Sequence, residues 1–145
     1  MALKGLYINL ESGIKIKKKS VHNAVKIIKK ALNKSISSLD VNFVGTETIY
    51  FVNQKFLGHK YTTDVIGFDY SNESNSFDGE IFICVDVAKE NSKRFQVTFD
   101  NELKRLVIHG LLHFSNFDDK TVAQKKKMKS AEDNLLKLIK QINFI

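Results

Sequence analysis

The apolar residues of this chain recur with two different periods, and the changes of period divide it into elements. Residues 4–10 alternate Leu6, Ile8 and Leu10 with other side chains, the period-two signature of a half-buried strand. After a basic run of Lys15, Lys17, Lys18 and Lys19, helical spacing takes over at Val21, Ala24, Val25, Ile28, Ala31 and Leu32, with Ser20 expected as the N-cap. Leu39, Val41 and Phe43 alternate again and predict a second strand over 39–45. Thr46 is placed to cap a short helix carrying Ile49, Val52 and Phe56 that stops near Gly58. The segment TDVIGFDY, 63–70, is rich in β-branched and aromatic residues, and GEIFICV, 79–85, is mostly apolar. They predict two strands, the second covered on both faces. The polar stretch 71–79 reads as the turn that joins them in an antiparallel hairpin.

The rest of the chain is expected to be helical. A short helix runs from about Asp86 to Phe95. Thr98 caps a longer one, with Asp100 and Glu102 in the first turn, where the positive end of the helix dipole favours them. That helix carries Leu103, Leu106, Val107 and Leu111 and ends near Ser115 or Asn116. Thr121 and Gln124 match a capping box and announce the last helix, whose apolar side holds Met128, Ala131, Leu135, Leu138 and Ile139. No internal repeat or low-complexity linker interrupts the pattern. Residues 1–145 are therefore expected to form a single domain of α/β (α+β) class, a small mixed four-stranded sheet packed with about five helices.

Composition narrows the partners. The chain has 145 residues, 43% hydrophobic and 27% charged, which is ordinary for a globular protein able to bury a core. No apolar run approaches the ~18 residues that would suggest a bilayer span. The N-terminus, MALKGLYINLESG, lacks the apolar run and cleavage site of a signal peptide, so a cytoplasmic chain without a membrane partner is expected. Cys84 is the sole cysteine; it excludes an internal disulfide and reads as a buried strand thiol rather than a nucleophile. A formal net charge of +7 favours polyanionic partners, RNA or DNA above all. Lysines 26, 29, 30 and 34 occupy the polar face of the first helix. Lysines 125, 126, 127 and 129 fall in the early turns of the last one, where the dipole does not favour them.

The candidate chemistry lies in HGLLHFSNFDD, residues 109–119. On a helix, His109 and His113 share one face with Cβ atoms about 5–6 Å apart, close enough to converge on one metal ion. Asp119 follows far enough on for the chain to turn and bring back a carboxylate as third ligand. Asn116, midway, tolerates the left-handed conformation such a turn often needs. Two imidazoles and one carboxylate leave coordination positions open, the mark of a catalytic rather than a structural site. Histidine pairs also occur without a metal, but in the apolar stretch LVIHGLLHF unpartnered imidazoles would be costly to bury. A hydrolase metal site on a helix and the turn after it is expected.

Taken in order, these motifs resemble the YbeY family of bacterial rRNA maturation factors, metal-dependent single-strand endoribonucleases. The family pattern HGxLHLxGYDH is similar to H-G-L-L-H-F-S-N-F-D-D at 109–119. A second block, NxxYRGKxxPTDVLSF, resembles N-Q-K-F-L-G-H-K-Y-T-T-D-V-I-G-F at 53–68, and a third, GDIxISxxxA, resembles G-E-I-F-I-C-V-D-V-A at 79–88. The resemblance implies zinc-dependent hydrolysis of single-stranded RNA in rRNA processing and ribosome quality control, with the ribosome or a ribosomal protein as partner. His109 and His113 match the first two metal ligands, and Asp119 falls where the family has its third His. One Zn2+ is therefore expected, with iron or another divalent metal left open, because two His and one carboxylate also form the facial triad of non-haem iron sites. Leu57 stands where the family has an arginine for the RNA phosphate, so Lys55, His59 or Lys60 would supply that charge. Asp64 and Asp118 are the candidates for a base or an orienting group. Two other readings stay open: a non-catalytic RNA- or ribosome-binding assembly factor, and a metalloprotease-like hydrolase. The latter is disfavoured by Gly110, which stands where such sites need a glutamate.

Overall fold

The computed structural model describes residues 3–73 and 75–145. Ser74, in the polar turn read from the sequence, lies outside the described residues, as do Met1 and Ala2 of the N-terminal stretch. The elements run β1 (Leu6–Leu10), α1 (Lys18–Ala31), β2 (Ser35–Val44), α2 (Thr46–Leu57), β3 (Val65–Asp69), β4 (Ser76–Cys84), α3 (Val85–Arg94), α4 (Phe99–His113) and α5 (Val122–Leu138). The strands form one mixed sheet in the order β1-β2-β4-β3. β1 pairs parallel with β2, and β2 parallel with β4. β3 and β4 form the expected antiparallel hairpin, with Val65 opposite Ile83 and Asp69 opposite Gly79.

Strand alternation sorts the side chains onto two faces. Registers such as Ile8 opposite Val41 and Val41 opposite Ile81 align rows of apolar residues across the strands. These rows pack on α1, α4 and α5 to make the main core. The other face is smaller: Val44, Ile66 and Cys84 lie against Ile49 and Val52 of α2. β4 is thus covered on both sides, as its apolar run requires. Burial accounts for the Cys84 thiol, whose pKa is pushed up chiefly by desolvation.

The most enclosed helix is α4, which packs against α3, α5, β3 and β4. Leu103, Val107, Ile108, Leu111 and Leu112 on it are wholly buried. Each such side chain contributes about 1.5–3 kcal/mol relative to exposure, so the placement of α4 is strongly determined. The two histidines sit at the C-terminal end of this helix.

Several boundaries differ from the local signals. α1 starts at Lys18 with Lys17 as N-cap, not at Ser20, because the Lys17 N–H is tied to the Phe144 carbonyl at 2.7 Å. β2 begins at Ser35 rather than Leu39; its polar first half pairs with Ser76 and Phe77 across a register shift. The N-cap of α2 is Gly45, not Thr46. Its free donors are satisfied from elsewhere, by Asp86 Oδ2 on Thr46 and Glu11 Oε1 on Gly45. Phe56 and Leu138, expected on apolar sides, are 59% and 55% exposed. Thr98 caps α4 through the Asn101 N–H, and Thr121 with Gln124 forms the capping box of α5, both as expected.

Candidate metal centre

The site is built where α4 ends against the sheet. A Cβ on Gly110 would come within 2.9 Å of Ile81 Cδ1 and 3.1 Å of its Cγ2, so α4 approaches β4 as closely as a glycine allows. With Gly110 turned to the sheet, His109 and His113 face a groove. Phe114, buried, closes the helix by laying its ring over Gly67 and Gly79, where Cβ atoms would stand 3.0 and 3.1 Å from ring carbons. The chain then reverses: Phe117 N–H bonds the Leu112 carbonyl at 3.1 Å and Asn116 adopts a left-handed φ of 68°. The turn returns Asp119 to the histidines, as its spacing suggested.

His109 Nε2 and His113 Nε2 are 3.0 Å apart. Asp119 Oδ2 lies 3.4 Å from the first and 3.5 Å from the second. A tetrahedral ion with bonds of about 2.0–2.2 Å needs ligand atoms roughly 3.3–3.6 Å apart. Both Asp119 distances fall in that range and the 3.0 Å between the imidazoles is shorter, so a small opening of the histidine pair completes one face of such a tetrahedron. The donor set also fits in its protonation. His109 Nδ1 is 2.6 Å from Glu132 Oε2, a buried carboxylate on α5 that can only accept while ionised. Nδ1 is therefore the nitrogen that donates to Glu132, and Nε2 is the one that faces the other two ligand atoms.

Glu132 is held in turn by a charged network. Arg105 Nη1 is 3.5 Å from Glu132, while its Nε and Nη2 make a two-pronged contact with Glu102 at 2.9 and 2.7 Å. The hydrogen bonds to Glu102, with the charges of Glu102, Glu132 and Asp64 around it, outweigh desolvation and raise the guanidinium pKa further above its ordinary value. Asn91 Nδ2 donates to Asp64 at 3.0 Å and to Glu102 at 3.3 Å.

A cavity of about 510 Å³ opens beside the cluster, and His109, His113, Asp119, Asp64, Leu57 and His59 all line it. Asp64 is not a free-standing base: Asn91 holds it, with Arg105 Nη2 at 4.0 Å. Asp118 is exposed and bonds none of the described residues, and the start of α5 is capped by Thr121 instead. Lys55 and Lys60 are exposed and do not line the cavity; the Lys55 ammonium lies 5.3 and 5.4 Å from the Phe51 and Phe56 ring centres. A second cavity, of about 570 Å³, shares His109 and Asp119 with the first and is lined also by Glu132, Lys125 and Lys129. A Cβ at position 110 would press on Ile81, and with glycine there the chain has no glutamate directly after His109 to act as the base of a metalloprotease-like site.

Sequence reading missed Glu132, Arg105, Glu102 and Asn91. A signal did exist for two of them. Glu132 falls on the Met128–Leu135–Ile139 stripe of α5, and Glu102 falls on the buried side of α4. A charged residue on an apolar stripe needs a partner.

The family model described as Endoribonuclease YbeY matches residues 7–140. The Endoribonuclease YbeY of Bacteroides fragilis is 36% identical over 126 residues, 87% of this chain and 90% of that protein. That of Flavobacterium psychrophilum is 41% identical over 106 residues, 73% of this chain and 75% of that protein. Among solved structures, the solution structure of a Thermotoga maritima protein superposes with a TM-score of 0.65 at 27% identity, covering 94% of this chain and 92% of that one.

Proposed function

We infer that this chain, which belongs to the Endoribonuclease YbeY family, is a metal-dependent single-strand endoribonuclease acting in rRNA maturation. The observation that carries the reading is the cluster of His109, His113 and Asp119, with donor atoms 3.0–3.5 Å apart at the edge of a cavity. Zinc suits two imidazoles and a carboxylate, and iron or another divalent ion is accommodated by the same set. Such an ion, when bound, supplies Lewis-acid polarisation of the phosphodiester and an activated water. Glu132 keeps the His109 proton on Nδ1, so that Nε2 stays a ligand. Asp64, fixed by Asn91, is placed to orient a group in the cavity, and His59 offers a contact for the strand. Lys55 and Lys60, outside the cavity, would meet the RNA backbone beyond it.

The substrate is single-stranded rRNA, and the ribosome or a ribosomal protein would present it, which fits a cytoplasmic single-domain enzyme of ribosome quality control. Among the described residues no helix is long and apolar enough to cross a membrane. The test is metal content and RNA cleavage measured together. Wild type should bind near-stoichiometric zinc and cut single-stranded RNA, Asp119→Ala should lose much of the metal, and His109→Ala/His113→Ala should lose both. A double variant that keeps full nuclease activity would overturn the mechanism. The rival reading, a non-catalytic RNA-binding assembly factor, draws on Leu57, which puts an apolar side chain in the cavity in place of a cation. It requires RNA binding that survives chelation, with no cleavage.

A further inference from the structure

We propose that His59 and Tyr61 form a stacking subsite for one nucleobase of the substrate, next to the metal-ligand cluster. The proposal rests on the nuclease reading and gives its groove a defined contact. The two rings lie within 13° of parallel with centres 5.2 Å apart, and Tyr61 Oη is 3.0 Å from His59 Nδ1. Both line the cavity that holds His109, His113 and Asp119. Tyr61 is 54% exposed, so the pair does not serve to complete the core.

The loop that carries the rings is fixed in advance. Gly58, at a left-handed φ of 71°, ends α2, and the His59 N–H bonds the Asn53 carbonyl at 3.2 Å. The Asn53 side chain, 2% exposed, donates Nδ2 to the Tyr61 carbonyl at 2.9 Å. A buried amide is thus committed to the backbone of an exposed loop, which holds Tyr61 in place before any ligand arrives. From Leu57 on, alternate residues of this loop (Leu57, His59, Tyr61, Thr63) line the cavity, and none of them is a lysine or arginine. The loop therefore presents two aromatic rings to the cavity, the chemistry that takes an unstacked base by its π-face and tolerates any base identity.

The experiment uses metal-loaded protein and a short single-stranded oligoribonucleotide, with an abasic residue or 2-aminopurine at each position in turn. One position beside the scissile phosphate should show quenched 2-aminopurine fluorescence on binding, and an abasic residue there should raise KM about tenfold with kcat little changed. Tyr61→Ala should raise KM about tenfold on the intact oligonucleotide, abolish the quenching and remove the abasic penalty. Tyr61→Phe, which keeps the ring, should retain all of these. A Tyr61→Ala protein with unchanged KM, quenching and abasic profile overturns the subsite and leaves the nuclease reading standing. Wild type that quenches the probe through Tyr61 yet cuts no RNA overturns the nuclease reading and leaves the subsite. Wild type that neither binds nor cuts overturns both.

Discussion

The position of one proton decides whether the cluster can take a cation. His109 can present Nε2 to a metal only if Nδ1 is the protonated nitrogen, and Glu132 Oε2 at 2.6 Å enforces that tautomer. Glu132→Ala should therefore lower metal affinity about 10- to 100-fold, read by competition against a chromophoric chelator. Glu132→Gln should lose less, because its amide oxygen still accepts from Nδ1. Equal affinity in wild type and Glu132→Ala would refute the positioning role. Arg105 acts one step further out. Arg105→Met leaves Glu102 and Glu132 buried without their cation and should cost about 3–5 kcal/mol in urea unfolding. At this scale the sequence was legible where chemistry is local. His109, His113, Asn116 and Asp119 lie within one motif, and helix geometry relates the two histidines directly. Glu132 was not legible, since its bond to His109 spans 23 residues and depends on how α5 packs on α4.

Among the elements, the end of α4 shows how packing fixes a site that its own sequence only suggests. The Phe114 ring rests on Gly67 of β3 and Gly79 of β4, and so ties the last turn of the helix, with His113, to the hairpin. Phe114→Ala should cost about 3–5 kcal/mol of stability and also weaken metal binding, because His113 loses its anchor. A variant that unfolds earlier yet binds metal as wild type would separate the two effects. The start of α1 makes a different prediction. His22 Nε2 accepts the Leu3 N–H, a bond that requires the ring to be unprotonated there. Burial first, then positive charge including Lys26, lowers its pKa below the ordinary 6.5. The folded state then binds fewer protons than the unfolded one, so this contribution is complete above pH ~6.5 and is lost as pH falls through the folded pKa. His22→Gln should flatten that part of the stability profile, followed by urea titrations at stepped pH. Element boundaries failed in the sequence wherever a distant partner set them. Lys17, fixed by Phe144, moved the start of α1, and Ser35 gained a strand only by pairing with Ser76.

At the scale of the whole molecule, periodicity revealed a mixed α/β layout but not the order β1-β2-β4-β3. The β3–β4 hairpin could be read because its strands adjoin in sequence, whereas β2 and β4 pair in parallel across α2 and β3. Together these pairings bring the end of α2, the loop after it and β3 to one groove with the α4 terminus. The net charge of +7 acquires a place in the same arrangement. Lys125 closes the first turn of α5, where the helix dipole works against it by about 0.3–1 kcal/mol, and Lys129, one turn on, pairs with Asp133 at 3.6 Å; both line the cavity that shares His109 and Asp119 with the first. A locally unfavourable charge beside the candidate catalytic cluster is consistent with a phosphate contact. If each lysine meets one phosphate of a single strand, log Kd should depend on log salt with a slope of about 0.7 per contact. Lys125→Ala/Lys129→Ala should then flatten the slope by roughly 1.4 and weaken binding most at low salt, while kcat at saturating RNA is retained. An unchanged slope would place the strand on the His59–Tyr61 side alone. A flattened one would extend the RNA through both cavities, with its scissile phosphate over the residues they share.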